Sequence, residues 1–181
     1  MLKQSLVLTE REDIEWILRT CKTCRIAMVA SGRPYIIPMV FGYRWDEEGL
    51  VLYFHCGLRG TKNHALRENP KISFEMDIEG ELIGKGNVAN RYSRAFSALI
   101  GEGKAEFAQD MEQRRQGFEH IMRHQTGRDG YVYTDAYLAV AEVFRVKADS
   151  FKATRKLPQA KSPEDGGLII ELGATEDDTA Y

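Results

Sequence analysis

Residues Leu50–Pro70 have the sequence LVLYFHCGLRGTKNHALRENP, and they are the most informative stretch of the chain. The stretch begins as an apolar run typical of a buried strand, passes through a loop flanked by Gly57 and Gly60, and continues as a short helix that opens with Thr61. The amino end of a helix offers unpaired backbone N–H groups and a partial positive charge, which suit a phosphate. The pattern therefore predicts a strand, an anion-binding loop and a helix.

Polar side chains around this loop add charge and hydrogen-bond donors to the predicted anion site. They are His55, Arg59, Thr61 and Lys62. Gly57 and Gly60 allow the backbone to approach an anion closely, and the apolar segment 35–43 supplies a wall. Together these features predict a site for a flat ligand with a phosphate tail. The spacing is not that of a P-loop, and many loops of this kind bind nothing, so a purely structural loop is the alternative.

Length, charge and cysteine content narrow the class of protein. The 181 residues are enough for one domain with an appendage, and such a chain buries about 70% of its unfolded surface without disulfides or metals. A net charge of −2 gives no electrostatic basis for nucleic-acid binding. The sequence contains no apolar run long enough to span a membrane and no signal peptide, and its cysteines number three. We therefore expect a cytoplasmic protein without nucleic-acid or membrane partners.

Hydrophobic patterning predicts a mainly β fold with peripheral helices. A capping-box pattern beginning at Thr9 opens a helix over residues 10–21, and further helices start at Thr61 and after Asp110. The predicted strands are residues 25–30, 35–43, 50–55, 71–78, 95–107 and 138–149. Pro38 cannot donate to a strand ladder, so it marks an edge, a bulge or a place where a ligand replaces a strand. Because strands and helices do not alternate, we expect an antiparallel barrel or sandwich.

The chain divides near residue 157. Residues 1–157 carry the predicted strands and helices and form the domain, whereas residues 158–181 are polar. A short apolar patch, LIIEL at residues 168–172, interrupts this tail. We expect the tail to be partly disordered or to dock through the patch on the domain or on a partner.

Two sets of potential metal ligands are interpreted as structural. Cys21 and Cys24 form a Cys-x-x-Cys pair, and His55-Cys56 adds two more ligands for a zinc site. The pair straddles the end of a predicted helix, so buried thiols are the favoured interpretation. His120 and His124 have the i, i+4 spacing of a metal site but lack the glutamate of a His-Glu-x-x-His motif. We interpret these two histidines as a solvated helix face and His64 as exposed. No residue must act as an acid or base, so the catalytic residues are unknown. His55 is the only candidate for such a role, and a phosphate ligand is its favoured interpretation.

The order of motifs along the chain resembles one family. Cys-x-x-Cys-Arg-Ile-Ala-Met-Val is followed by Gly-Arg-Pro-Tyr-Ile-Ile-Pro-Met, Leu-Tyr-Phe-His-Cys, Gly-Thr-Lys and Asn-Pro-Lys-Ile-Ser-Phe-Glu-Met-Asp. This series is similar to the pyridoxamine 5'-phosphate oxidase-like, FMN-binding split-barrel superfamily, and nearest to its nitroimidazole-resistance branch. The resemblance extends from about Glu10 to Thr154. No single motif is specific, but the shared order and spacing over the whole domain is.

The resemblance implies a six-stranded antiparallel split barrel over residues 1–157, a homodimer, and two FMN sites at the subunit interface. The segment Ile37, Pro38, Met39 and Val40 would line the isoalloxazine ring, and His55, Thr61 and Lys62, with Gly57, would hold the phosphate. Related sequences often carry Arg-Ser where this chain has Ser97-Ala98. The carboxyl-terminal Arg-Leu-x-Pro motif of true pyridoxamine phosphate oxidases is only loosely echoed at residues 155–158, so that activity is not expected.

The resulting hypothesis is a cytoplasmic homodimeric flavoprotein that uses FMN to reduce or oxidise small molecules, such as nitroaromatic compounds, with a separate electron donor. One alternative is a non-catalytic protein that binds or senses flavin or haem on the same barrel. The remaining alternatives are a deazaflavin in place of FMN and a structural metal site on the cysteines.

Overall fold

The computed structural model describes residues 5–157, which form eight strands and four α-helices. The strands are β1 (Leu6–Leu8), β2 (Thr23–Ala30), β3 (Arg33–Val40), β4 (Gly42–Asp46), β5 (Gly49–Gly57), β6 (Lys71–Ile83), β7 (Ser93–Phe107) and β8 (Ala141–Lys156). The helices are α1 (Arg11–Thr20), α2 (Thr61–Glu68), α3 (Met111–Thr126) and α4 (Asp135–Val140), with a short 3₁₀ helix at Ala89–Arg91. The prediction for the tail concerns residues 158–181, which are outside the part of the chain that the structure describes.

The strands form one antiparallel sheet that closes on itself. Its order is β3-β2-β6-β7-β8-β5-β4, and β1 pairs with β8. β3 and β4 therefore lie at opposite edges of the sheet, although only Phe41 separates them in the chain. Because one residue cannot span an open sheet, the two edges must meet at Phe41. The result is a barrel with a split between β3 and β4, which confirms the predicted mainly β split barrel.

The barrel interior is filled by one face of the alternating strands and closed by α1. Phe41, Phe54, Phe74 and Phe144 are its largest fully buried side chains. Ile17 and Leu18 of α1 join the same cluster, because the apolar stripe of that helix faces the barrel. Each buried side chain of this size contributes about 1.5–3 kcal/mol of hydrophobic stabilisation. The core therefore forms without disulfides, and all three cysteines are free and buried.

A second, smaller cluster attaches α3 and α4 to the outside of β5 and β8. It consists of Phe118, Ile121, Leu138, Ala141 and Val143, with Tyr53 and Tyr133 packed against it. α3 starts after Asp110, as predicted, and the Asp110 side chain caps it by accepting a hydrogen bond from the Gln113 backbone. At the other end the helix is capped by Gly127 in the left-handed conformation. This outer layer covers one side of the barrel.

The outward side chains of β2, β3, β6 and β7 form an exposed surface, which we call the open sheet face. In the strand register, β2 residues Val29, Ala27 and Arg25 lie opposite β3 residues Pro34, Ile36 and Pro38. On the other side of β2, Arg25 lies opposite Glu75 of β6, and Glu75 in turn lies opposite Ile100 of β7. Ile36 is 64% exposed and Ile100 is 57% exposed. A sheet face with several exposed aliphatic side chains is typical of an interaction surface.

Three details of the predicted elements are wrong. The strand count is eight within residues 5–157, not six, because β1 is an additional short strand and the predicted strand 35–43 divides at Phe41. The Phe41 carbonyl accepts hydrogen bonds from α3, so the chain leaves the β2 ladder there. Residues 138–140 belong to α4, not to the last strand, because Thr134 caps a helix. Thr9 does not cap α1, whose N-cap is Glu10 without a side-chain hydrogen bond. Pro38 lies on an edge strand, as predicted.

Gly42 lies directly against the backbone of α3, and this generates a prediction. A Cβ at residue 42 would lie 2.3 Å from the carbonyl carbon of His120 and 2.4 Å from the nitrogen of Ile121. We expect Gly42→Ala to lower the free energy of unfolding by about 1–3 kcal/mol, as overpacking does, measured by urea denaturation. Gly57→Ala is the control, because a Cβ at residue 57 would have no atom within 4 Å. Equal stabilities of the two variants would contradict this packing.

Candidate functional site

The loop between β5 and α2 presents an uncapped helix terminus. Gly60 is the N-cap of α2 and has a φ of 129°, which only glycine adopts without strain. No side chain caps this end of the helix, and its first turn contains no acidic residue. The N–H groups of the first turn and the helix dipole therefore face outward without a carboxylate to neutralise them. We call residues 57–62 the anion loop.

Cationic side chains accompany the anion loop. Lys62 is half-buried, and Arg59 and Thr61 are exposed. Among residues 5–157 neither Arg59 nor Lys62 forms an ion pair. A negatively charged ligand at this terminus would therefore meet two cations that have no carboxylate partner in the described part of the chain.

His55 lies on the outer face of β5, next to the anion loop. Burial lowers the pKa of His55, and the neighbouring Lys62 ammonium lowers it further. The imidazole is therefore neutral at pH 7 and offers one donor and one acceptor. Its ring centroid is 5.2 Å from that of Phe118, which in turn is 5.2 Å from Tyr137 and 5.7 Å from Tyr133. His55 is thus bordered by an aromatic cluster from α3, α4 and the loop between them.

Asn63 holds the anion loop in place through two hydrogen bonds, a role that the sequence pattern did not predict. Its side chain is in the first turn of α2 and only 3% of the residue is exposed. Its Nδ2 donates to the Gly57 carbonyl at 2.7 Å, and its Oδ1 accepts from the Cys56 thiol at 3.0 Å. One buried amide therefore ties the beginning of α2 to the end of β5, so that the loop is held in one conformation before any ligand arrives.

The carboxyl end of α2 is held against the barrel by a buried carboxylate. Glu142 of β8 is buried and lies opposite Cys56 in the strand register. Its Oε2 accepts from Arg67 at 2.9 Å, and its Oε1 is 3.8 Å from Arg114 of α3. The Arg67 guanidinium also lies over the Phe107 ring at 4.1 Å. Both ends of α2 are thus fixed to the barrel wall.

The predicted ring-binding segment has side chains on two faces. Ile37 and Met39 point into the barrel and pack in its core, whereas Pro38 and Val40 point outward beside the open sheet face. β3 is an edge strand, so one side of its backbone is not paired by β2. β3 also comes into contact with β5, which carries His55 and Gly57. The structure therefore brings the predicted phosphate residues together and places Pro38 and Val40 on the neighbouring strand edge.

The interpretation of His120 and His124 as a solvated helix face is wrong. His124 is buried, and its Nδ1 donates to the Phe41 carbonyl at 2.7 Å. His120 stacks on Tyr53 at 4.3 Å with an interplanar angle of 13°. Burial lowers the pKa of both histidines. The i, i+4 spacing marks the face with which α3 packs on β4 and β5. His64, by contrast, is exposed as predicted.

The cysteines are protonated thiols in the barrel wall. Burial raises the pKa of Cys21 to about 11 and that of Cys24 to about 12. Within residues 5–157 no three His, Cys, Asp or Glu side chains are grouped as a metal site requires. In the same range, none of the helices has the length and hydrophobicity needed to cross a lipid bilayer.

Ser97 occupies a structural position. Its hydroxyl accepts from the Arg155 Nε at 3.1 Å, and the same guanidinium donates to Asp13 at 2.7 Å. Arg155 therefore links β7, β8 and α1, and its charge is neutralised inside the protein.

The fold and the anion loop define a split-barrel protein with a helix-terminus site, and a comparison with protein families identifies the class. Residues 10–155 match the family described as pyridoxamine 5'-phosphate oxidase, so the chain belongs to that family. A comparison with curated protein sequences finds no match.

Solved structures with the same fold include flavin-binding and haem-binding proteins. A candidate 5-nitroimidazole antibiotic resistance protein from Bacteroides thetaiotaomicron is 28% identical, with a TM-score of 0.72 over 84% of this chain and 87% of that chain. A FAD and haem binding protein from Mycobacterium smegmatis is 18% identical, with a TM-score of 0.73 over 90% and 80%. A flavocytochrome from Azotobacter vinelandii is 17% identical, with a TM-score of 0.69 over 97% and 86%. The last two show the shared fold alone.

The two hydrogen bonds of Asn63 generate a prediction about the loop. We expect Asn63→Ala to lower the free energy of unfolding by about 1–3 kcal/mol, because the Gly57 carbonyl and the Cys56 thiol lose their buried partner. Chemical denaturation measures this, and Asn90→Ala is the matched control because Asn90 is exposed. An Asn63→Ala protein as stable as the control would mean that the amide does not hold the loop.

Proposed function

We propose that this chain is a flavoprotein that binds FMN non-covalently at the anion loop and acts, as a homodimer, as an oxidoreductase of small molecules that include nitroaromatic compounds. The observation that carries the proposal is the uncapped, glycine-opened terminus of α2 with its unpaired cations. Membership of the pyridoxamine 5'-phosphate oxidase family and the flavin-binding neighbours support a flavin. The resistance protein from Bacteroides thetaiotaomicron supports the nitroaromatic substrate class.

The residues present fit the phosphate of FMN. A single phosphate monoester matches one helix terminus, where the first-turn N–H groups act as donors and Arg59 and Lys62 supply positive charge. Each charge-assisted hydrogen bond would contribute about 1.5–3 kcal/mol. The Thr61 hydroxyl and the neutral His55 add donors. Because Asn63 already fixes the loop, little ordering of the backbone would accompany binding.

The edge of β3 fits the flavin ring. An edge strand offers backbone N–H and C=O groups on its unpaired side, and residues 37–40 would use these for the polar edge of the ring. Pro38 removes one donor but presents a flat apolar surface beside Val40. On the other side of the site, His55 and the aromatic ring of Phe118 limit access of water.

The bound flavin would supply the electron transfer between a donor and an acceptor. The residues of this chain would bind its phosphate, orient its ring and shape the space above it. We assign no residue as a general acid or base. Since His55 is neutral at pH 7 and half-buried, its proposed part is to donate a hydrogen bond to the phosphate region.

The open sheet face is proposed as the homodimer interface. Its exposed aliphatic side chains include Val29, Ile36 and Ile100. The charge of Arg25 in the same face is matched by Glu75 at 3.0 Å and by Asp77. A second copy would bury these aliphatic groups without leaving the arginine unpaired. Because β3 is part of this face, the flavin ring would lie next to the subunit contact.

The first test is the visible spectrum of the purified protein, followed by identification of the released cofactor. We expect a flavin spectrum and FMN in the heat-treated supernatant. Lys62→Ala should weaken FMN binding about 10-fold to 100-fold, because one charge-assisted hydrogen bond is lost. Lys85→Ala, an exposed lysine between β6 and β7, is the control and should bind FMN as wild type does.

Other outcomes of this test discriminate between the alternatives. A colourless protein that fails to take up added FMN would refute the flavoprotein proposal. A protein that binds FMN but reduces no nitroaromatic acceptor with any electron donor would be a flavin carrier or sensor. Uptake of hemin with a Soret band, in place of flavin, would identify a haem-binding protein.

A second test addresses the dimer. We expect Ile36→Glu to convert the dimer to a monomer, because it introduces a charge into the open sheet face. Sedimentation velocity measures the change in mass. Val132→Glu is the control, since Val132 is 91% exposed in the loop between α3 and α4. A monomeric wild-type protein, or an Ile36→Glu protein that stays dimeric, would refute this interface.

A further inference from the structure

A cavity of about 620 Å³ lies between α1, β4 and the last turns of α3. Its volume is in the range of small-molecule sites, which is about 300–1,000 Å³. Its lining contains none of residues 55–63, so it is separate from the anion loop and from the proposed flavin site. The family resemblance and the proposed function leave this cavity unused.

Aromatic rings line the cavity, and neighbouring aromatic rings pack against them. Tyr43 and Trp45 of β4 and His120 of α3 all line it. Trp45 is held at its edge by Phe151, with centroids 5.8 Å apart, and His120 stacks on Tyr53. The Arg11 guanidinium also lies over the Trp45 ring, 4.5 Å from its centroid. The rings are therefore held in place before a ligand arrives, and the faces that Arg11 and Tyr53 do not cover suit a planar molecule.

Positive charge exceeds negative charge in the cavity lining. Four cationic side chains, Arg19, Lys22, Arg44 and Arg123, line it together with one carboxylate, Glu15. Arg44 is paired with Asp46 at 2.8 Å and Glu48 at 2.9 Å, and Arg123 is paired with Asp129. Glu15 is itself 3.9 Å from Arg11. The positive charge that is available to a ligand therefore comes from Arg19 and Lys22.

Arg19 and Lys22 have no carboxylate partner among residues 5–157. The Lys22 ammonium donates to the carbonyls of Arg19 at 3.1 Å and His124 at 2.7 Å, so it is held at the carboxyl ends of α1 and α3. Two of its three N–H groups are used, and the third is free to donate. Arg19 is exposed, and its guanidinium can donate two hydrogen bonds to a carboxylate in a bidentate arrangement.

We infer that this cavity binds a small planar organic carboxylate, with its ring against Tyr43, Trp45 and His120 and its carboxylate against Arg19 and Lys22. The histidines of the lining do not supply the charge, because burial keeps both neutral at pH 7. The lining combines two cations that have no carboxylate partner among residues 5–157 with packed aromatic rings, and these match the two parts of such a ligand.

The probe for this site is 2-naphthoate, and the two indole groups of the chain report where it binds. Trp45 lines the cavity, whereas Trp16 lies under the Arg155 guanidinium and outside the lining. In a titration of ¹⁵N-labelled protein we expect the indole N–H resonance of Trp45 to shift saturably and that of Trp16 to stay in place. Trp16→Phe assigns the two resonances. A fixed Trp45 resonance, or equal shifts of both, would overturn the inference.

Charge and position are tested with one neutral ligand and three variants. The neutral amide 2-naphthamide should bind about 10-fold more weakly than 2-naphthoate, and Arg19→Gln should weaken 2-naphthoate by a similar factor, measured by calorimetry. Arg33→Gln, at the exposed first residue of β3, is the matched control and should bind as wild type does. Lys62→Ala should also leave 2-naphthoate affinity unchanged, which separates this site from the proposed flavin site. Equal affinity for the amide, or unchanged affinity in Arg19→Gln, would refute the carboxylate site.

Discussion

The crossing from β3 to β4 in one residue is the constraint on which the rest of the structure depends. Phe41 is fully buried, and its carbonyl accepts from His124 Nδ1 at 2.7 Å and from Gln125 Nε2 at 2.9 Å. These bonds replace the ladder hydrogen bonds that the chain gives up when it leaves β2. Gly42 then passes against the α3 backbone, where no side chain fits. The last turns of α3 thus hold the split of the barrel in place.

The position of the anion loop follows from the same closed barrel. β5 ends at Gly57, and Asn63 in the first turn of α2 donates back to the Gly57 carbonyl. At the far end of α2, Arg67 pairs with the buried Glu142 of β8. A buried carboxylate is stabilised only by such partners, so the helix and the barrel wall fix each other. The helix terminus is therefore rigid, which is what a pre-formed anion site requires.

Sequence patterns predicted the parts of this structure that local interactions determine. Hydrophobic patterning indicated β6 and most of β7, and the glycines before Thr61 indicated the anion loop. The break at Phe41 was not predicted, because it depends on hydrogen bonds from residues more than eighty positions away. The role of Asn63 was missed although its partners, Cys56 and Gly57, are close in sequence, because the sequence does not show the direction in which the Gly57 carbonyl points. α4 is six residues long, too short for helical periodicity to be distinguished from a strand.

α3 connects the two candidate sites. Phe118, near the middle of α3, contacts His55 beside the anion loop, whereas His120 and Arg123 in the carboxyl-terminal half of the helix line the cavity. Gly117 allows this helix to lie against β8, because a Cβ there would be 2.4 Å from a methyl group of Val143. Close packing of this kind transmits strain, so we expect a shift in the last turns of α3 to reach Phe118. The aromatic cluster next to His55 and the cavity therefore belong to one packed layer on the outside of the barrel.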